Sequence, residues 1–191
     1  MVELAQRKLG DTIRFELHAG GLFPGGPLPD SKRRHILSTD RRIAELTGQQ
    51  FGTRYLDELL SDPATNYDSA APVAAILAAL ELEPDSGLRM LRAIQHAHYR
   101  DGLRIADPAV LVGVAESIGL EAEGFAAALA STSGEPTRRH ISATHKVMRQ
   151  VGATGFPTFF LQRSGSTITI EHQHHYRSPE DFVKAVLQAT T

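Results

Sequence analysis

No cysteine occurs among the 191 residues. That absence excludes disulfide bonds, thiolate metal centres and any reaction in which a side-chain thiolate of this chain is the nucleophile. An excess of charge of one sign is also lacking: 20 Lys and Arg stand against 22 Asp and Glu, a net charge of −2. A chain so balanced offers no electrostatic basis for binding nucleic acid or an anionic membrane surface. The pairs Arg33-Arg34, Arg41-Arg42 and Arg138-Arg139 read as solvated helix faces rather than a phosphate-binding patch. No apolar run reaches the roughly 18 residues that mark a membrane span. The first ten residues form an amphipathic fragment without the apolar core and small-residue cleavage site of a secretory signal. The expected location is therefore cytoplasmic, with neither nucleic acid nor membrane as partner.

Several motifs are missing as well. There is no repeat with a fixed period of 20–50 residues, which argues against a solenoid. Gly20-Gly21-Leu22-Phe23-Pro24-Gly25-Gly26-Pro27 resembles a phosphate cradle only in its glycine count. It lacks the lysine of a P-loop and no helix opens directly after it, so it reads as a plain loop. No HExxH, EF-hand loop or GxSxG is present. The 41% of hydrophobic and 22% of charged residues are ordinary for a globular protein of one domain, or of a small domain with a large insertion.

What is present has a definite order. Residues 2–9 fit the last turns of a helix, stopped by Gly10. Thr12-Ile13-Arg14-Phe15-Glu16-Leu17-His18 alternates apolar and polar, the signature of a half-buried strand. Residues 31–152 read as helical with short breaks. Ser38 or Thr39 is an expected N-cap for a helix to Leu46, and Gly48 its stop. A second helix spans about 50–60, and Ser69 is expected to cap an apolar one over 70–82. Asp107-Pro108 is an N-cap followed by a first-turn proline, and Gly119 ends that helix. Helices over 121–130 and 136–151 complete the block. The pattern then changes period. Residues 158–162 and 167–171 read as two strands around the turn Ser164-Gly165-Ser166. Ser178-Pro179-Glu180-Asp181 opens a last helix with Phe182, Val183, Val186 and Leu187 on one side. Strands at both ends with helices between them predict an α/β core carrying a helical subdomain.

Candidate site residues are few. Nine histidines invite a metal reading, and strand alternation would place His172 and His174 on one face. No third ligand is fixed by spacing, so a polar edge strand is the simpler reading and no metal is assigned. His140 and His145 lie five apart, on different helix faces. Glu16, His18, His98 and Tyr99 are candidates for acid–base chemistry or binding by residue type, the last two just before a helix stop where a cleft could form. Gly155-Phe156-Pro157-Thr158 stands where a helix ends and a strand begins. An X-Pro bond in such a turn leaves both isomers open on local grounds.

Gly152-Ala153-Thr154-Gly155-Phe156-Pro157-Thr158 resembles the cis-proline loop of DsbA-like thioredoxin-fold proteins. The resemblance is closest to the cytoplasmic FrnE-type branch. Three further stretches match in the same order: His18-Ala19-Gly20-Gly21-Leu22-Phe23, Thr47-Gly48-Gln49-Gln50-Phe51-Gly52, and Gln95-His96-Ala97-His98-Tyr99-Arg100-Asp101-Gly102. The resemblance implies a thioredoxin-like core at residues 1–30 and 153–191 with an all-helical subdomain inserted at 31–152. It also implies a cis bond at Phe156-Pro157 and a substrate-binding site at Gly155, Phe156, Pro157 and Thr158, overlaid by His98 and Tyr99. The partner implied is a protein or peptide bearing a thiol or disulfide, bound by main-chain pairing beside the turn. A homodimer is left open, and no cofactor is implied.

The departure from the family is as informative. Its members begin with a central strand leading into Cys-x-x-Cys at a helix N-terminus, where the thiolate is stabilised. Here residues 2–9 match only the tail of that helix, so the central first strand and the dithiol are missing. A start at an internal methionine, with some twenty to thirty residues upstream, is the expectation. The family activity is thiol–disulfide oxidoreduction or isomerisation, and the chain as it stands is expected to be inactive in it, its catalytic residue lying upstream of Met1. One alternative is a glutathione-dependent isomerase like the 2-hydroxychromene-2-carboxylate isomerases, with glutathione as cofactor. The other is a non-enzymatic peptide-binding or chaperone-like module that uses the cis-proline loop.

Overall fold

The computed structural model describes residues 1–163 and 165–190. Contacts divide the chain into two compact units, Met1–Gly20 with Ser142–Thr191, and Gly21–Ile141. The contact junctions fall at 20/21 and 141/142. Local bonding explains the first of them: residues beyond Gly21 pair within the second unit, Gly25 N–H with the Tyr67 carbonyl and Tyr67 N–H with that of Gly26, at 3.1 and 3.0 Å.

In the first unit, α1 (Val2–Leu9) packs against α8 (Pro179–Thr190), and α8 lies on a hairpin of β1 (Phe159–Arg163) and β2 (Ser166–Ile170). The strands are antiparallel, with Phe159 opposite Ile170 and Arg163 opposite Ser166. Ser164, part of the expected turn, lies outside the described residues. Ala5 and Leu9 from α1, Ile170 from β2, and Phe182, Val183 and Val186 from α8 form the buried core. The apolar spacing on α1 and α8 explains this, since positions three and four apart share a helix face. Leu187, expected beside them, is instead 44% exposed.

Residues 12–18 correct the sequence reading. They form no strand, although the alternation survives in burial: Ile13, Phe15 and Leu17 are half-buried while Arg14, Glu16 and His18 face solvent. Ile13 and Phe15 pack on the first unit's core. The apolar period places the side chains, but a strand also needs a neighbour about 4.8 Å away to pair with. Among the described residues β1 pairs only with β2.

The second unit is helical: α2 (Asp30–Thr47), a π-helical turn at Arg54–Leu59, α3 (Ala70–Leu82), α4 (Gly87–Gln95), a π-helical turn at His96–Arg100, α5 (Pro108–Ser117) and α6 (Ala122–Thr132). Helix α7 (Glu135–Val151) begins in this unit. Helix α3 is apolar all round and buries Val73, Ala74, Ala75, Ile76, Ala78 and Ala79, as a helix enclosed by others must. It packs against α6, where the Thr132 hydroxyl donates to the Ala74 carbonyl at 2.9 Å. Asp107 caps α5 as expected, accepting from Ala109 N–H at 2.9 Å.

Ser38 and Thr39 do not start a helix. They sit within α2 and donate to the His35 carbonyl at 2.8 and 2.9 Å, the alternative use of a short hydroxyl side chain in mid-helix. Ser69 precedes α3 but accepts from Phe23 N–H at 3.0 Å instead of capping. Among the described residues no helix is long and apolar enough to cross a membrane.

Phe182 is 1% exposed at the centre of the first unit's core. Replacing it with alanine is expected to lower unfolding free energy by about 3–5 kcal/mol. Urea denaturation followed by circular dichroism measures this directly.

Candidate functional site

The turn 155–158 follows the end of α7 and precedes β1. Gly152, at φ +70°, lets the chain leave the helix, and Ala153 N–H still reaches the Met148 carbonyl at 2.9 Å. The Phe156–Pro157 bond is cis. The Thr158 hydroxyl donates to the Gly155 carbonyl at 2.7 Å and closes the turn from inside. Gly155, Phe156 and Pro157 are exposed, and Phe156 makes no main-chain hydrogen bond among the described residues.

The Phe156 ring has a defined seat. A Cβ on Gly20 would stand 2.2 Å from two of its ring carbons, so the ring lies flush on a position without a side chain. The Gly20 carbonyl accepts from Nε2 of His145 at 2.6 Å. His18 lies on the same segment, 3.8 Å from a Glu16 carboxylate oxygen, with its ring 6.4 Å from that of Phe160. Cis-proline turn, residues 18–20 and α7 therefore meet around one exposed aromatic ring. The chemistry available is binding: exposed main-chain groups at Phe156 can pair with an extended chain, and the ring offers apolar surface.

His98 and Tyr99 belong to the second unit and sit in an aromatic cluster. The His98 ring lies edge-on to Tyr99, Tyr55 and Tyr67, at 4.8, 5.2 and 6.1 Å between centroids. Its Nδ1 is 3.3 Å from the Leu103 carbonyl. Phe51 closes the cluster against Tyr99 at 5.6 Å. Two glycines permit this approach. A Cβ on Gly52 would overlap the Arg100 carbonyl at 1.9 Å, and one on Gly102 would stand 2.7 Å from the Arg54 backbone. Gly52 N–H donates to the Tyr99 carbonyl at 2.9 Å. The stretches at 47–52 and 95–102 are thus the two halves of one packed junction.

Electrostatics there are set by burial. Asp40 is 6% exposed and accepts from the Tyr55 hydroxyl at 2.7 Å. Burial raises its carboxyl above the usual range, against the lowering effect of that bond. Burial likewise pushes the Tyr67 phenol up to about 12 and drives the Tyr55 phenol further up. His98 is lowered, chiefly by burial, with the Leu103 carbonyl acting in the opposite direction.

Sequence reasoning missed Gly20 and His145 as parts of the turn's surroundings. No spacing rule connects them to residue 156, from which they lie 136 and 11 positions away. His172 and His174 are not alternate residues of a strand, because Gln173–His175 forms a 3₁₀ turn. The His172 ring packs edge-on to Phe159 and Tyr176 at 5.2 and 5.6 Å. Among the described residues no three His, Asp or Glu side chains converge on a metal-sized site.

Comparison with known proteins shows the family and the fold. The family model for a DSBA-like thioredoxin domain matches residues 2–176. The cytosolic disulfide reductase DsbM from Pseudomonas aeruginosa is 38% identical, with a TM-score of 0.89, over 98% of this chain and 89% of that one. The same reductase solved with GSH gives 38% identity and a TM-score of 0.88, over 98% of this chain and 89% of that one. A candidate protein disulfide isomerase from Nitrosomonas europaea is similar in fold, at 20% identity and a TM-score of 0.79, over 100% of this chain and 89% of that one. No curated protein sequence matched.

The buried histidine generates a pH prediction. His98 titrates below its unfolded value of about 6.5, so the unfolded chain binds the extra proton first as pH falls. Its contribution to stability is full above about pH 6.5 and is lost as pH falls toward the lower folded value. Asp40 is raised and acts in the opposite sense, contributing fully only below its unfolded value of 3.8 and losing this as pH rises. The His98→Gln variant is expected to lose less stability than wild type between pH 7 and 5, by up to about 1.4 kcal/mol per pH unit. Denaturation midpoints across that range decide it; parallel curves refute it.

Proposed function

The chain belongs to the family of DSBA-like thioredoxin domains, and from that membership we propose that it carries the substrate-binding half of a thiol–disulfide oxidoreductase or isomerase site. The observation that carries this reading is the exposed turn Gly155–Thr158, with free main-chain groups at Phe156 and the ring seated on Gly20. The substrate is a peptide or glutathione bearing a thiol or disulfide, bound at Gly155, Phe156, Pro157 and Thr158. His98 and Tyr99 serve the packing of their own junction first, and any part they take in binding is through the exposed Tyr99 edge. The 38% identical reductase, whose structure with GSH is known, supports both the small thiol as ligand and a cytoplasmic location.

These 191 residues do not themselves perform exchange. Thiol–disulfide exchange requires a thiolate to attack a disulfide sulfur and leave as part of a mixed disulfide. No side chain in this sequence supplies that sulfur. The role left to the chain is recognition, with the chemistry belonging to a thiol that it binds.

Two measurements test this. The purified protein is expected to give no reduction of insulin disulfides above the uncatalysed rate, and any turnover overturns the assignment. Titration with oxidised glutathione, followed by amide chemical shifts, is expected to perturb residues 155–158, with Phe156→Ala weakening binding about tenfold. Binding that ignores the Phe156→Ala change places the ligand elsewhere.

A further inference from the structure

The geometry points to a charge filter beside the substrate-facing turn: Lys146 and Arg149 on α7 select a small disulfide that carries carboxylates. The inference rests on the reading of residues 155–158 as the binding turn, and it names which disulfides that turn takes. Three observations carry it. First, residues 142–170 contain no Asp or Glu, while Lys146, Arg149 and Arg163 fall within them, in a chain of net charge −2. The stretch around the turn is cationic although the molecule is not. Second, Arg163 is bonded to the Thr190 carbonyl, but Lys146 and Arg149 are exposed and have no acidic partner among the described residues. Third, the side of α7 that carries them adjoins the turn. His145 Nε2 donates to the Gly20 carbonyl at 2.6 Å, and the Phe156 ring lies on that same glycine. Arg149 is four positions after His145 and shares its side of the helix, and Lys146 stands next to His145. Gly152 N–H reaches the Arg149 carbonyl at 3.4 Å, so Arg149 stands one helical turn before the chain leaves for residues 155–158.

Fixed cations without partners of their own attract an anionic ligand over roughly a Debye length, about 10 Å at 0.1 M salt. Glu16, the acidic residue within 12–20, has its own cation in Arg14 at 3.2 Å and does not cancel them. Oxidised glutathione meets the requirement, since its carboxylates outnumber its ammonium groups. A neutral or cationic disulfide does not. A basic residue in the last turn of a helix also favours the helix dipole. That structural role is indifferent to the charge of a ligand, and a charge filter is not.

Lys146→Gln and Arg149→Gln keep a strong helix former at exposed positions, so neither change threatens α7. Affinities for oxidised glutathione and for its ethyl ester, whose carboxyl groups carry no charge, are measured by titration at low and high salt. Wild type is expected to prefer the acid to the ester and to lose that preference at high salt. Each single variant is expected to weaken binding of the acid about threefold and the double variant about tenfold, with binding of the ester not weakened. Equal loss for acid and ester, or no loss in the double variant, overturns the inference.

Amide chemical shifts separate its failure from that of the binding reading. If residues 155–158 respond to glutathione and the double variant keeps wild-type affinity, the turn stands and the filter falls. If the double variant loses the preference for the acid while residues 155–158 never shift, the filter stands and the turn reading falls. Absence of any binding overturns both.

Discussion

The contact between the Phe156 ring and the bare Cα of Gly20 is the constraint around which the first unit's exposed turn is arranged. A ring can lie that close to a main chain only where no Cβ intervenes. Because the ring is seated, the main chain of residues 155–157 is presented outward, and the Thr158–Gly155 bond completes the turn behind it. Gly21 extends the same requirement in the second unit. It adopts φ +61°, and a Cβ there would stand 2.7 Å from Ile141. Adjacent glycines thus meet two separate demands, and a loop that looks permissive in sequence is sterically determined.

The second unit solves a related problem with the same means. Its two π-helical turns, at Arg54–Leu59 and His96–Arg100, bring aromatic side chains together at a spacing that only glycine at 52 and 102 allows. Tyr55, Tyr67 and His98 then lose their water. Asp40 for Tyr55, the Leu59 carbonyl for Tyr67 and the Leu103 carbonyl for His98 provide the polar partners that make this burial tolerable. No buried side-chain nitrogen or oxygen among the described residues is left without a partner. The junction is best understood as architecture with titratable members, which is why its predicted signature is in stability against pH.

Much of the fold was legible. Helix α5 was read from its cap and proline, α3 from its apolar run, and α8 from its proline start. The hairpin followed from a change of period between helix and strand. These are local signals, decided within about ten residues, and the structure keeps them. Residues 12–18 show where local signals stop. Their alternation correctly assigned which side chains turn inward, yet no strand forms, because pairing depends on a neighbour that a period cannot supply. Ser38 and Thr39 failed for a related reason: a residue type suited to capping is equally able to bond backward within a longer helix.

The sequence by itself determined the family, the cis-proline turn as the candidate site, and the lack of any thiol for exchange. Each depends on residue identity or on order along the chain, which folding does not alter. Only the tertiary structure decided what holds that turn. Gly20, His145 and Phe156 become neighbours through the return of α7 beside residues 18–20, and no periodicity encodes a contact across 125 positions. The same holds for the stretches at 47–52 and 95–102, visible as motifs but recognisable as two faces of one junction only after their backbones meet. Local physics writes the elements; long-range packing decides which residues surround the site.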